Sequence, residues 1–170
     1  VVRAAFSAIA NHEIILPRGR SCGINISGQT LSDVGFLEFV VDALDTSTVT
    51  PESICFEVTE EAVYEHFANA RRFIEVLHGM GSRFALDNYG SAPGAFTRLR
   101  DLPIDFLKID GRLTQNLAED SVNQELVASM IRLADTMRFR TVAEAVEGQE
   151  DFDTLRDLGV DFAQGLFISE

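Results

Sequence analysis

Phe106–Asp110 reads FLKID. In an extended strand successive side chains point to opposite faces, so Leu107 and Ile109 share an apolar face while Lys108 and Asp110 take the other. The same division recurs on both sides of this stretch. In GINIS (Gly23–Ser27), Ile24 and Ile26 oppose Gly23, Asn25 and Ser27. In ICFEV (Ile54–Val58), Ile54, Phe56 and Val58 oppose Cys55 and Glu57. In RFALD (Arg83–Asp87), Phe84 and Leu86 oppose Ala85 and Asp87, and in TVAE (Thr141–Glu144), Val142 and Glu144 oppose Ala143. Several strands therefore carry one bulky apolar face and one small or polar face, with a polar group near the carboxyl end.

Between these runs lie longer helical patterns. Strands are expected at Cys22–Ser27, Ser53–Val58, Arg83–Asp87, Asp105–Asp110, Arg140–Glu144 and Val160–Gln164. Helices are expected at Gln29–Leu44, Phe67–Met80, Ser121–Met137 and Gln149–Leu158, with shorter pieces near Gly94–Arg100 and Arg112–Leu117. The chain begins in what reads as a helix preceding the first of these strands. Phe73, Ile74 and Leu77 give one helix its apolar stripe; Leu126, Met130, Ile131, Leu133, Ala134 and Met137 give another. Gly81 and Gly159 stand where helix C-caps belong. Alternating strands and helices require parallel strands joined by helical crossovers, in a doubly wound sheet or a (β/α)8 barrel. The barrel explains the patterning best: apolar residues face the helix ring and polar ones gather at the top of the interior. Only six strands are visible, so an eight-stranded barrel would lack its first part.

The 170 residues suit a single domain over 1–170, with no linker-like break. A net charge of −13 argues against a partner such as duplex DNA or RNA, which demands a positive field. It does not exclude a phosphodiester whose charge is met by bound cations. No apolar run reaches bilayer-spanning length and no signal peptide is read at the amino end, so a cytoplasmic location is the expectation, although a parent protein could carry membrane segments. Cys22 and Cys55 fall on opposite faces of adjacent strands, which disfavours a bridge. His12, His66 and His78 have no His or Cys at ligand spacing and read as surface or helix-end residues.

In a barrel, strand ends distant in sequence meet at one mouth, where active sites form. That would gather Asn25, Glu57, Asp87, Lys108, Glu144 and Gln164. Three carboxylates at such range repel, and a divalent cation resolves the conflict. All-oxygen donors select Mg2+, Mn2+ or Ca2+ over zinc. Each residue also has a plainer reading. Asn25 or Glu57 could cap the following helix, Lys108 could be an ion-pair partner of Asp87 or Asp110, and Gln164 could serve backbone groups.

The segments NIS (Asn25–Ser27), EVTE (Glu57–Glu60), DNYG (Asp87–Gly90), KID (Lys108–Asp110), AEAVE (Ala143–Glu147) and QG (Gln164–Gly165) resemble, in order and spacing, those of the EAL family. The family patterns are N-x-S, E-x-T-E, DDFG, KID, AEGVE and QG. The resemblance implies an EAL-type (β/α)8 barrel of bacterial second-messenger signalling that binds cyclic di-GMP and, when active, hydrolyses it to pGpG with two Mg2+ or Mn2+ ions. It implies metal ligands at Asn25, Glu57, Asp87 and the Asn88 position. Lys108 would hold the attacking water or a phosphate oxygen, and Glu144 would act as general base or as a ligand to the activated water. Glu147, Gln164 and Asp110 would support substrate binding, and Glu60 would brace the loop after Asp87. Flanking regulatory domains and a homodimer are implied as well.

Three departures bear on activity. The Glu-Ala-Leu tripeptide that names the family is absent and is expected upstream of Val1. Asn88 stands where the second aspartate of DDFG would be, and the loop continues as YGSAPGA (Tyr89–Ala95). Beside these three, Ala145 in place of the glycine of AEGVE is a smaller change. These point to a degenerate receptor with weak or no hydrolysis, while Asn25, Glu57, Asp87, Lys108 and Glu144 leave a working phosphodiesterase open. Two further alternatives are a nucleotide-free interaction platform and an unrelated barrel lyase using Lys108 as a Schiff-base amine.

Overall fold

The computed structural model describes residues 1–11, 21–90 and 100–168. The elements run in chain order as α1 (Val2–Ala10), β1 (Cys22–Ile26), α2 (Gly28–Leu31), α3 (Val34–Thr46), β2 (Ile54–Thr59), α4 (Glu60–Glu65), α5 (Phe67–Gly79), β3 (Arg83–Tyr89), β4 (Phe106–Ile109), α6 (Gly111–Thr114), α7 (Ser121–Met137), β5 (Arg140–Ala143), α8 (Gln149–Leu158) and β6 (Phe162–Ala163). The six strands form one sheet in the order of the chain, with β1 and β6 at its two ends. The pairs β1–β2, β4–β5 and β5–β6 are parallel. This is the parallel α/β architecture of a partial TIM-like barrel.

The chain divides into two compact units, Val1–Ala85 with Phe96–Ile104 and Leu86–Ala95 with Asp105–Glu170. In the first, Phe56 and Phe84 on the sheet meet Phe73 of α5, and Phe73 stacks on Phe36 of α3 at 5.8 Å. These ring contacts help pack α5 on the sheet and α3 on α5: Phe56, Phe73 and Phe84 are buried together, and loss of one such ring costs about 3–5 kcal/mol. The buried stripe of α5, Ala70, Phe73, Ile74 and Leu77, follows the helical period. Gly81, at φ +106°, ends it by letting the Ser82 N–H donate back to the Leu77 carbonyl.

In the second unit α7 buries Val127, Met130, Ile131 and Ala134. The expected stripe is therefore displaced at its start, since Leu126 is 45% exposed and Val127 takes the inward position. Gly159, at φ +91°, closes α8 as expected.

The expected Gln29–Leu44 helix is interrupted. Ser32 ends α2, and Asp33 begins α3 by accepting from the Gly35 N–H at 2.9 Å. Asp33 is a better cap than helix interior, and periodicity alone does not see that. The short α4 was not expected; Thr59 starts it from the strand end. The helical piece expected over Arg112–Leu117 resolves into α6 and a 3-10 turn at Leu117–Glu119. The piece near Gly94–Arg100 lies outside the described residues but for Arg100, as does His12. Cys22 pairs in register with Ile54 and Cys55 with Gly23, so the two thiols do fall on opposite faces. Among the described residues no helix is long and apolar enough to cross a membrane.

Candidate functional site

Three of the motifs share one local design. In NIS, EVT and KID the third residue caps the next helix: Ser27 Oγ accepts from the Thr30 N–H at 3.2 Å, Thr59 Oγ1 from Ala62 N–H at 3.2 Å, and Asp110 Oδ1 from Arg112 N–H at 2.8 Å. The capping expected as a plain reading of Asn25 and Glu57 thus belongs to the residue two places on. Because the strand period is two, the capping residue and the motif's first residue lie on the same side, where each strand turns into its helix. Asn25, Glu57 and Lys108 are left for other work.

In the first unit Asn25 and Glu57 are register partners on β1 and β2. Asn25 is exposed and Glu57 half-buried. The Glu57 carboxylate leans over Gly23, where a Cβ would collide with Oε1. A side chain at Gly23 would displace that carboxylate, so the glycine is part of the site. Glu60 is buried in the first turn of α4, where the helix N-terminus favours a carboxylate. Asn25 also lines a cleft of about 480 Å³ with Arg3, Ser27 and Phe39, and the Arg3 guanidinium stands 4.9 Å over the Phe39 ring.

The second unit brings three expected residues together. Lys108 Nζ lies 2.8 Å from Glu144 and 3.4 Å from Asp87, and all three side chains are at most 20% exposed. Burial pushes the Glu144 carboxyl above its ordinary range; the Lys108 ammonium opposes the rise, and Asp87 adds to it. With both carboxylates ionised, one ammonium leaves a net charge of about −1 in a poorly hydrated place. Lys108 is the only lysine of the sequence; the other 13 of its 14 basic residues are arginines. That composition is a signal which motif reading passes over, because an ammonium is a compact charge that fits between two carboxylates without the breadth of a guanidinium.

Other expected residues are placed differently. Asp110 is buried but engaged with its own helix, accepting from the Arg112 guanidinium at 2.6 Å as well as capping α6. That hydrogen bond holds its carboxyl below the usual range. The Asn88 side chain is exposed, with its backbone left-handed at φ +54° and its N–H donating to Asp87 Oδ1 at 3.0 Å. Glu147 and Gln164 are exposed. The Gln164 backbone accepts from the Val146 N–H at 3.1 Å and donates to the Ala143 carbonyl at 2.8 Å. Gly165 follows because the Val146 backbone passes where a Cβ would be. The rest of the YGSAPGA loop, from Ser91, lies outside the described residues.

The donors suit a hard divalent cation, since carboxylates and an amide offer oxygen alone. Among the described residues, however, no three His, Cys, Asp or Glu side chains converge closely enough to hold one, and Asp87 and Glu144 both face the Lys108 ammonium. The fit is therefore one of chemistry alone: Asn25 and Glu57 in the first unit and Asp87 in the second each carry an oxygen donor.

The family model described as the EAL domain matches residues 1–170. The chain is 34% identical over 145 residues to the cyclic di-GMP phosphodiesterase PdeB of Shewanella oneidensis, covering 85% of this chain and 17% of that protein. It is 32% identical over 142 residues to the cyclic di-GMP phosphodiesterase PdeA of Borreliella burgdorferi, covering 84% and 21%. The chain thus spans about a fifth of the length of these relatives. Among solved structures, the PaMucR phosphodiesterase in complex with c-di-GMP superposes with a TM-score of 0.91 at 25% identity, covering 99% of this chain and 68% of that one. The FimX EAL domain from Pseudomonas aeruginosa, bound to c-di-GMP, superposes at 0.87 and 23% identity, covering 98% and 66%, and speaks for the fold alone.

Proposed function

This chain belongs to the EAL domain family, and from that premise we propose that it binds cyclic di-GMP and serves as a receptor with weak or no hydrolysis. The observation that supports this best is the Asp87–Lys108–Glu144 cluster. A buried ammonium between two carboxylates keeps the strand ends ordered and supplies a cation for a phosphodiester oxygen, while the surplus negative charge calls for a further cation before a dianionic ligand can settle.

In this reading Asn25, Glu57 and Asp87 would hold Mg2+ or Mn2+. Such an ion, when bound, offsets phosphate charge and acidifies a coordinated water. Lys108 binds and orients the phosphate or a water, and Glu144, its carboxyl raised by burial, accepts a proton at its carboxylate oxygen. Glu147 and Gln164, exposed in the segments after β5 and β6, are available to the guanine side of the ligand. Asn88 favours the receptor state: its amide is neutral, so a second ion lacks the carboxylate charge that would hold it. Regulatory domains flanking this one, a homodimer and a cytoplasmic location belong to the same proposal.

The second reading, an active phosphodiesterase, is favoured by the intact Lys108–Glu144 contact at 2.8 Å. Calorimetry on the full-length protein decides binding. Cyclic di-GMP should give saturable heat with Mn2+ present, and no heat at high-micromolar ligand with or without metal refutes the proposal in favour of an interaction platform. Asn88→Asp decides turnover. It should raise Mn2+-dependent formation of pGpG at least about tenfold, which asks only about 1.4 kcal/mol of transition-state stabilisation. A native protein already as fast as the variant establishes the phosphodiesterase instead.

A further inference from the structure

We propose that Thr114 is a positioning residue for Glu144, acting through the peptide that joins Glu144 to Ala145. It rests on the function above only for the chemical use of Glu144; the positioning itself stands on geometry. Thr114 ends α6, the short helix that follows Lys108 and Asp110, and it is wholly buried. Its hydroxyl donates to the backbone carbonyl of Glu144, thirty residues on. The Gly111 carbonyl is also within 3.2 Å, but a threonine hydroxyl has one proton to give and the Glu144 oxygen is the nearer acceptor.

What that bond holds is an unusual backbone. Ala145 sits at φ +52°, a left-handed conformation that an alanine, with no polar side chain to compensate, resists. The carbonyl oxygen of Glu144 lies in the peptide plane whose rotation sets φ of Ala145. On one side the Glu144 N–H reaches the Ile109 carbonyl of β4 at 3.4 Å; on the other, Thr114 fixes the carbonyl. Gly111 makes room for this arrangement, since a Cβ there would stand 2.8 Å from the Ala145 methyl. The turn after Lys108 thereby sets both partners of the Lys108–Glu144 contact: the ammonium through the end of β4, and the carboxylate through the 144–145 peptide. Without the hydroxyl a buried carbonyl loses its donor and Ala145 is free to turn right-handed, which swings the Glu144 side chain away from Lys108.

Selective 15N labelling of lysine side chains, with Lys108→Arg as the assignment control, identifies the ammonium signal of Lys108, the only lysine of these 170 residues. Proton exchange at that ammonium reports whether Glu144 holds it. Thr114→Val, which keeps shape and removes the donor, should speed the exchange at least about tenfold, whereas Thr114→Ser should stay within about twofold of the native chain. Adding Ala145→Gly to Thr114→Val should restore slow exchange, since glycine adopts the left-handed turn without help. A buried hydroxyl that merely filled space would show no such rescue.

Cyclic di-GMP affinity of the same variants should follow the same order. The exchange measurement needs no ligand, so a native chain that binds no dinucleotide would overturn the function proposed above and leave this inference standing. Unchanged exchange in Thr114→Val, or failure of Ala145→Gly to restore it, overturns the inference. Should Thr114→Val not fold, the native chain carries the test. A through-bond coupling between the Thr114 hydroxyl proton and the Glu144 carbonyl carbon supports the proposal, and its absence sinks it.

Discussion

Two strand ends in the second unit solve the same problem by different means. Within β3, two residues before its end, Asp87 is followed by left-handed Asn88; after β5, Glu144 is followed by left-handed Ala145. Both carboxylates turn to Lys108. At β3 the turn stabilises itself: asparagine tolerates the left-handed region, and its N–H is taken by the neighbouring Asp87 carboxylate at 3.0 Å. After β5 the turn is held from a distance, by Gly111 and Thr114 on the segment after β4. A backbone conformation favoured by its own residue needs no scaffold, and one against its residue's preference needs several supports.

The largest effect should come from breaking what the two ends share. Lys108→Met keeps the side chain's length and removes the charge, leaving Asp87 and Glu144 facing each other in a poorly hydrated place. The expected loss is about 3 kcal/mol at pH 7, measured as a fall in the denaturant midpoint. Without the opposing ammonium the Glu144 carboxyl rises further above its unfolded value. A carboxyl raised in the folded state contributes stability that is full below the unfolded value and lost as pH rises through the folded one. The deficit of Lys108→Met should therefore shrink when the measurement moves below the ordinary glutamate range. A deficit independent of pH would mean that packing, and not charge, is what Lys108 supplies.

A smaller effect separates the two ends. Gly111→Ala drives a methyl against that of Ala145 and should cost about 1–3 kcal/mol by overpacking. Asp87 should feel nothing, since its turn does not use Gly111. Backbone amide shifts around Glu144 and Ala145 should move while those of Asp87 and Asn88 stay; equal movement at both would erase the distinction.

What was legible in the sequence follows the same line between local and distant causes. The period-two alternation placed Asn25, Glu57, Asp87 and Lys108 on polar strand faces because strand geometry makes facing a local property. The Lys108 contact with Asp87 was readable as one of two ion-pair options, since both partners are strand-end residues of like orientation. The division of labour inside NIS, EVT and KID was not. Capping by Ser27, Thr59 and Asp110 depends on where each strand turns into its helix, and boundaries are the least readable feature of a sequence. Leu126 was misplaced for a related reason: a stripe of apolar residues fixes a helical period better than its phase at the first turn. Thr114 gave no signal at all. A threonine at the end of a four-residue helix is ordinary until the chain returns thirty residues later with a carbonyl in need of a donor.

The smallest effect is the sharpest test of the comparison. Ala145→Gly and Asn88→Gly make the same replacement at two left-handed positions of similar φ, +52° and +54°. Alanine in that region is strained by about 1–2 kcal/mol, and glycine is not. Glycine in turn adds about 0.5–1 kcal/mol of backbone entropy to the unfolded chain. The balance favours Ala145→Gly by about 0.5 kcal/mol, somewhat less if the lost methyl leaves a gap beside Gly111. For Asn88 the strain removed is smaller, because asparagine visits this region readily, and the same entropy term makes Asn88→Gly neutral or slightly destabilising. A shift of 1 kcal/mol moves the midpoint of a domain this size by about 2–4 °C, so the two variants should part by about 1–3 °C, with Ala145→Gly above the native chain and Asn88→Gly at or slightly below it. Midpoints that move together would mean that Ala145 is no more strained than Asn88. The supports at Gly111 and Thr114 would then be holding a turn that needs no holding.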